Sequence, residues 1–269
     1  MKNIIIVFIL LAYSCMAHAE YSLNFGIVPQ QSATKLAKLW GPIFNHIEKE
    51  TSIKIHFETA PNIPIFEKRL AAGKYDLAYM NPYHYVVFSK IPGYKALGKA
   101  SEKRIKGIIV VRKTSNIKNF HDLNHGELAF PAPAAFAASI LTRTALTQKG
   151  VLFTAKYVSS HDSVYRAVAK GIYPAGGGVI RTFNNTSPEI RKQLKIMWTS
   201  KGFTPHAIAA HPRVNKNDIK KIQKALINMK HSVVGKALLN SIKIKGFVAG
   251  ADEDWNDVRA LNIALLGSN

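Results

Sequence analysis

Regular alternation of strand-like and helix-like segments is the feature that most constrains this fold. Residues 21–104 read as β-α-β-α-β, and residues 105–199 repeat the pattern before a mostly helical tail. Such alternation favours parallel strands with helices packed on both faces of a sheet. Ligands of these sheets bind beyond the carboxyl ends of the strands, near helix N-termini. We therefore expect an α/β protein with mostly parallel sheets and flanking helices, and a site in the loops that follow strands.

The spacing predicts two lobes joined by a two-segment hinge. The chain crosses from one lobe to the other near residues 104–106 and returns near residues 202–206. Residues 20–104 and 207–269 would form lobe 1, and residues 105–206 would form lobe 2. A length of 269 residues with 47% hydrophobic side chains is enough for two modest domains.

The N-terminus has the pattern of a secretory signal peptide. Lys2 precedes an uncharged apolar run at residues 4–12, and residues 17–19, AHA, supply small residues before a cleavage point. The run is shorter than the roughly 20 apolar residues of a membrane-spanning helix. We expect residues 1–19 to be removed after Ala19 and the mature protein to be periplasmic.

Cys15 is the only cysteine of the chain and lies within that segment. The residues before it, AYS, match a lipoprotein signal poorly, and lipidation of Cys15 is left open. A mature chain without cysteine has no disulfide, no thiol chemistry and no cysteine-ligated zinc.

The chain is strongly basic, with a formal net charge of +21. Lysine is densest in residues 213–245, where apolar residues recur at three- and four-residue spacing. This pattern predicts an amphipathic helix with a lysine-rich outer face. No aromatic side chains interleave with these lysines, so we expect a solvated face or a weak contact with an anionic membrane, and no nucleic-acid partner.

Two of four candidate loops belong to the first half of the chain. In GIVPQQS, residues 26–32, the amides of Gln30 and Gln31 could bind a ligand or simply face the surface, and Ser32 can cap a helix. In residues 75–88, Asn81 opens a helix. Tyr83 belongs to a tyrosine-rich cluster that suits a pocket wall.

The other two loops belong to the second half. FPAPAAFAAS, residues 130–139, has no polar side chain before Ser139, so Ala135 and Phe136 offer backbone N–H groups at a helix start. In residues 157–164, Ser159, Ser160 and His161 lie on the turn before a helix. One residue of that turn should cap the helix, and His161 is as easily a turn residue as a ligand-binding one. A glycine run at residues 176–178 either approaches a ligand or makes a turn, and Arg181 follows it.

Motifs for catalysis are absent from the sequence. It has no G-x-S-x-G, no H-E-x-x-H and no G-x-x-x-x-G-K-[ST]. Ser160, His161 and Asp162 are neighbours, whereas the members of a catalytic triad come from separate loops. His121 and His125 lack a carboxylate set at helical spacing. We expect no enzyme activity, no metal site and no cofactor.

Several strings resemble one family of proteins: GIVPQQSATKLAKLW, YDLAYMNPYHY, VVRKTSNIKNFHDL, SSHDSVYRAVAKG and AGGGVIRTFN. They are similar to the periplasmic phosphate/phosphite/phosphonate-binding proteins of ABC importers, and the resemblance extends from Tyr21 to Asp257. It implies the type II periplasmic binding protein fold, which closes around its solute by a hinge.

The resemblance also implies where a ligand binds. Characterised phosphonate-binding relatives hold the phosphonate oxygens with serine and threonine hydroxyls, but residues 132–138 here read APAAFAA. His161 matches a histidine of the family. The acidic residues that bind an amino group fall near residues 180–181 and His206, where this chain has no carboxylate. Arg181 could restore part of the anion binding, and we expect no binding of 2-aminoethylphosphonate.

Together these features predict the solute-binding component of an ABC importer, a monomer that binds a small anion between its lobes and delivers it to an inner-membrane permease. A sensory module for a membrane receptor and a binder of a less polar organic solute are the alternatives. The expected ligand-binding residues are Gln30, Gln31, Asn81, Tyr83, Ala135, Phe136, Ser159, Ser160, His161, Arg181 and His206.

Overall fold

The computed structural model describes residues 21–266, so the predicted signal peptide, Cys15 and the cleavage point lie outside the described residues. The strands are β1 (Ser22–Ile27), β2 (Lys54–Glu58), β3 (Leu77–Met80), β4 (Lys95–Ala100), β5 (Gly107–Arg112), β6 (Gly126–Phe130), β7 (Phe153–Tyr157), β8 (Ala175–Val179), β9 (Leu194–Thr199), β10 (Ala207–Ala210) and β11 (Phe247–Val248). The helices are α1 (Ala33–Thr51), α2 (Ile63–Ala71), α3 (Pro82–Phe88), α4 (Leu141–Gln148), α5 (His161–Ala169), α6 (Ile180–Asn184), α7 (Pro188–Arg191), α8 (Lys216–Asn228), α9 (Val233–Ser241) and α10 (Asn256–Arg259). A π-helical turn occupies Phe136–Ile140.

The strands form two mixed sheets. The first has the order β11-β4-β10-β3-β1-β2 and the second the order β7-β6-β8-β5-β9. β1 is parallel to β2 and β3, and β6 is parallel to β7 and β8. β10 and β5 are antiparallel to both of their neighbours. The α/β class is confirmed, but the sheets are mixed rather than mostly parallel. β5 and β10 each follow a crossing between the two sheets, and each enters its sheet from the side of that crossing.

Two crossing segments, residues 101–106 and 200–206, join the sheets. They pair with each other: Ile105 N donates to Phe203 O at 2.8 Å, and Phe203 N donates to Ile105 O at 3.0 Å. Asp257 holds both segments, since its Oδ2 lies 2.7 Å from Arg104 Nη2 and 2.9 Å from Thr204 N. The sheet membership of the strands supports the predicted lobe bounds, 20–104 with 207–269 and 105–206, which we keep as a proposal.

Polar caps fix the helices that begin just after strands. In each, a side-chain oxygen accepts from a backbone N–H of the first turn, which satisfies one of the donors that a helix start leaves free. The caps are Ser32 of α1, Asn62 of α2, Asn81 of α3 and Ser160 of α5. The carboxyl ends of the strands therefore lie beside well-defined helix starts.

The two sheets bury their faces differently. An aromatic cluster centred on Phe25, Trp40 and Phe44 fills one side of the first sheet, and the rings of Phe25 and Phe44 stack at 4.8 Å. The second sheet has a separate buried cluster on each face. Residues 134–138 belong to the same buried cluster as Phe25, so the alanine-rich segment packs against the first lobe.

The lysine-rich tail folds as predicted. α8 buries Ile222, Ala225 and Leu226, and its four lysines are all exposed. Within residues 21–266, no helix combines the length and the hydrophobicity that crossing a membrane requires.

The glycine run at residues 176–178 forms part of β8 and neither makes a turn nor lines the cavities described below. A Cβ atom on Gly177 would lie 1.9 Å from Ala138 O, and one on Gly107 would lie 2.2 Å from Ala137 O. The π-helical turn therefore lies directly on the backbones of β5 and β8, and only glycine permits this contact.

Gly177→Ala should destabilise the protein, because the added methyl group meets a backbone carbonyl that cannot move without shifting the π-helical turn. We expect a loss of about 2 kcal/mol or more in the free energy of unfolding, measured by urea titration. Gly246→Ala is the matched control, because its nearest atoms belong to side chains at 3.2 and 3.3 Å. Equal unfolding midpoints for the two variants would contradict this account of the glycine run.

Candidate functional site

The capped helix starts of the two lobes meet between the sheets. His161 N donates to Gln30 O at 3.0 Å, and Asn81 Nδ2 donates to Ala134 O at 3.2 Å. Arg181 Nη2 donates to Gln30 Oε1. The structure thus brings together Gln30, Asn81, His161 and Arg181, which the sequence analysis had placed on four different loops.

A small cavity lies under the alanine-rich segment, and we call it the alanine cavity. Its volume of about 10 Å³ has room for about one water molecule. The Phe136 ring is almost fully buried there and packs edge-on against Phe203, with ring centroids 5.5 Å apart. The lining residues are Val28, Gln30, Ile63, Asn81, Ile105, Ala135, Phe136, Ala137, Ala138, His161, Val179 and His206.

A larger cavity of about 200 Å³ lies on the other side of His206, and we call it the basic cavity. Its lining combines basic and apolar side chains and contains neither Asp nor Glu. The basic residues are Lys103, Arg104, Lys106, Arg181 and Lys243, and the others are Tyr79, Ala100, Ile105, Val179, Ile180, Asn184, Pro205, His206 and Ile244.

Arg181 is a charged group that contacts both cavity walls. It lines the basic cavity and reaches Gln30, which lines the alanine cavity. Its guanidinium carbon lies 5.9 Å from the centre of the Tyr79 ring, and that ring stacks on His206 at 4.8 Å. No carboxylate within residues 21–266 forms an ion pair with Arg181. The positive charge of the guanidinium is therefore not offset by the protein and can pair with an anion.

Two buried histidines beside Arg181 are neutral. Burial, and then the charge of Arg181, lower the pKa of His161 to about 3. Burial, Arg181 and the other nearby histidines hold the pKa of His206 well below its ordinary value. His161 Nδ1 lies 3.1 Å from Thr182 Oγ1, whereas His206 Nε2 is buried without a hydrogen-bond partner. In the part of the chain that the structure describes, no group of three or more His, Cys, Asp or Glu could hold a metal ion.

Some predicted site residues lie elsewhere. Tyr83 lines neither cavity: its hydroxyl accepts from Leu265 N at 2.8 Å and Leu266 N at 2.7 Å. Tyr83 lies two residues beyond the cap of α3, so it faces the C-terminal segment and not the cleft. The structure does not support it as a binding residue.

The serines of the fourth loop and Gln31 also line neither cavity. Ser160 Oγ accepts from Ser163 N at 3.1 Å as the cap of α5, so its hydroxyl is already used within the turn. Ser159 is exposed, with a left-handed φ of 72°. Of the predicted set, Gln30, Asn81, Ala135, Phe136, His161, Arg181 and His206 line one cavity or the other.

Sequence patterns do not identify Lys103 and Lys243 as cavity residues. Neither lysine lies in a loop that joins a strand to a capped helix. The sequence feature that could have identified Lys103 is the basic string KRIK, residues 103–106, at the first crossing between the lobes.

The chain forms two α/β lobes, which paired crossing segments join, and cavities lie between the lobes. This arrangement is that of a bilobal solute-binding protein. Residues 25–255 match the family described as ABC transporter, phosphonate, periplasmic substrate-binding protein, and the chain belongs to this family. It is the periplasmic substrate-binding component of an ABC transporter, as its sequence predicted, and this is not a class of enzymes.

Relatives agree with this assignment. The phosphate-import protein PhnD of Mycolicibacterium smegmatis is 22% identical over 75% of this chain and 70% of its own length. The binding protein component of an ABC phosphonate transporter from Pseudomonas aeruginosa has a TM-score of 0.83 at 16% identity, covering 90% of this chain and 86% of that one. PhnD1 from Prochlorococcus marinus, solved in complex with methylphosphonate, has a TM-score of 0.81 at 18% identity, covering 90% and 99%.

The neutral histidines make the protein sensitive to acid. Because the pKa of His161 is lower in the folded state than its ordinary 6.5, the unfolded state binds more protons below pH 6.5. Its contribution to stability is complete above that pH and is lost as the pH falls toward about 3. Each such histidine lowers the free energy of unfolding by up to about 1.4 kcal/mol per pH unit.

We expect His161→Gln to show a weaker loss of stability than the unchanged protein between about pH 7.5 and pH 5 in urea titrations. The exposed His121 provides the control variant, His121→Gln. Parallel pH profiles for all three proteins would show that His161 is not buried as a neutral group.

Proposed function

We propose that the chain binds a small oxyanion, of the phosphate, phosphite or phosphonate kind, at Arg181 in the cleft between its lobes. The observation that carries this proposal is the half-buried Arg181 beside two buried, neutral histidines, facing cavities without a carboxylate. A cation that is partly withdrawn from water and has only neutral partners gains from pairing with an anion. A monomeric mature protein, cleaved after Ala19 and without catalytic activity, would pass the anion to an inner-membrane permease.

The relatives support an oxyanion. One is a phosphate-import protein by name, and the Prochlorococcus marinus protein was solved in complex with methylphosphonate. In this chain the backbone N–H groups at the start of the π-helical turn could also contribute, since first-turn donors have no acceptor within the helix. The alanine cavity has room for about one water molecule and Phe136 forms part of its wall, so an anion reaches these donors only if the cavity widens.

Contacts across the cleft support binding coupled to lobe closure. Lys35 Nζ on α1 donates to Asn185 O at 2.6 Å and lies 3.7 Å from Asp162 Oδ2. With the bonds from His161 and Asn81 to the opposite side, these contacts favour the closed arrangement. An anion that pairs with Arg181 between the lobes would add to that preference.

Arg181→Ala should weaken the binding of methylphosphonate by at least about 30-fold in isothermal titration calorimetry, because it removes the half-buried positive charge that no carboxylate of the protein offsets. Arg181→Lys keeps a positive charge but loses the two-pronged geometry, and should bind with intermediate affinity. Arg166→Ala, on the exposed face of α5, is the matched control. Unchanged affinity in Arg181→Ala would remove the basis of the proposed site.

2-Aminoethylphosphonate should bind much more weakly than propylphosphonate, which has a methyl group in place of the ammonium group. The basic cavity offers no carboxylate for an amine and five basic residues that repel it. Competition calorimetry with both compounds measures this difference. Equal or tighter binding of the amine would refute the charge argument.

A further inference from the structure

We infer that the basic cavity holds the organic part of the ligand and that Lys103 and Arg181 together hold its acid group. Among phosphonates, the site then prefers those with an apolar body of propyl or phenyl size to methylphosphonate and to free phosphate. This inference rests on the proposed function, because it names the ligand preference of the same site.

The volumes of the two cavities indicate which of them has room for the ligand. The alanine cavity has room for about one water molecule. The basic cavity, at about 200 Å³, has room for an acid group and several carbon atoms. The side chains of Ile105, Val179 and Ile244 contribute apolar surface to its wall. Burying a hydrocarbon group against such a wall is favourable, whereas inorganic phosphate gains nothing from it.

Ion pairing and burial together single out two cations at this cavity. Arg104, also in the lining, pairs with Asp257 at 2.7 Å, and neighbouring Lys99 pairs with Asp254. Lys103 Nζ donates to the backbone oxygen of Lys243, and no carboxylate within the described residues pairs with it. Lys106 and Lys243 have no ion pair with a described carboxylate either, but both are exposed to water, whereas Lys103 and Arg181 are half-buried.

The electrostatics of Lys103 agree with this pattern. Burial, and then the charges of Arg181 and Lys245, lower the pKa of Lys103. The charge of Arg181 acts on Lys103 because the two side chains line the same cavity. An acid group between them would offset both charges at once, and a dianionic phosphonate supplies two negative charges on a single group.

His206 provides a polar contact for the same group. Its ring is 3% exposed, lies against Tyr79 and lines both cavities, and its Nε2 atom has no partner within the described residues. A neutral imidazole nitrogen can donate to an oxyanion or accept from an acid hydroxyl. A buried polar atom without a partner is costly, so a ligand oxygen at this position would stabilise the closed protein.

The first test compares ligands on the mature protein by isothermal titration calorimetry. Phosphate, methylphosphonate, propylphosphonate and phenylphosphonate share an acid group and differ in the size of the apolar body. Affinity should rise about fourfold per buried methylene group, so propylphosphonate, with two more such groups, should bind about 15-fold tighter than methylphosphonate. Phosphate or methylphosphonate binding as tightly as propylphosphonate would overturn the inference.

The second test uses variants. Lys103→Gln should weaken propylphosphonate binding roughly tenfold, since it removes one of two charges on the acid group, and Lys103→Arg should restore most of it. The control is Lys74→Gln, at an exposed lysine outside both cavities. Ala100→Leu narrows the basic cavity and should weaken phenylphosphonate binding more than phosphate binding. If Lys103→Gln and Lys74→Gln bind propylphosphonate with the same affinity, Lys103 does not hold the acid group.

The two proposals fail in different ways. If none of the four anions binds, or if Arg181→Ala binds them as the unchanged protein does, the proposed function fails. If binding depends on Arg181 but is indifferent to the apolar body and to Lys103, the function stands and only the substrate class is wrong.

Discussion

The reciprocal backbone hydrogen bonds between Ile105 and Phe203 are the interaction on which the rest of the structure depends. They pair the two crossing segments, so β5 and β10 must start at the cleft and run antiparallel to the strands that end there. Ile105 lines both cavities, and the Phe203 ring packs against Phe136, which lines the alanine cavity. One short pairing thus sets the direction of two strands, the position of the cleft and the packing beside one cavity.

Charge is distributed in two ways around this cleft. At the edges, cations are neutralised locally, as Arg213 is by Asp76 at 2.6 Å. Beside the cleft, His84 Nε2 lies 2.8 Å from Glu67 Oε1 and can donate to this carboxylate. His84 N donates to Asn81 Oδ1 at 2.8 Å, which turns Asn81 Nδ2 toward Ala134 O of the opposite lobe. Acidic groups therefore support the walls of the cleft but stay out of the cavity linings, which leaves the field at Arg181 positive.

Local patterns determined much of the fold and only part of the site. Apolar spacing and caps predicted α1, α3 and α5 and placed Gln30, Asn81 and His161 at helix starts. β4 was missed because its sequence, KALGKA, contains no β-branched residue, and its pairing with β10 and β11 makes it a strand. Lys103 was missed for a related reason: only the pairing of the crossing segments brings it to the same cavity as Arg181. Long-range pairing of this kind leaves no periodic signal in the sequence.

The alanine-rich segment shows how such a pairing changes the chemistry of a loop. Residues 134–138 could have offered backbone donors to a ligand, but they are buried in the cluster that includes Phe25. The glycines of β5 and β8 let their backbone approach to a distance that any side chain would prevent. Small residues on both sides seat the π-helical turn on the second sheet, and its other face packs into the cluster of the first lobe. Because the alanine cavity has room for about one water molecule, the volume and the unpaired positive charge that a ligand requires lie on the far side of His206. The substrate preference of this protein then depends on Arg181, Lys103 and the apolar wall beside them.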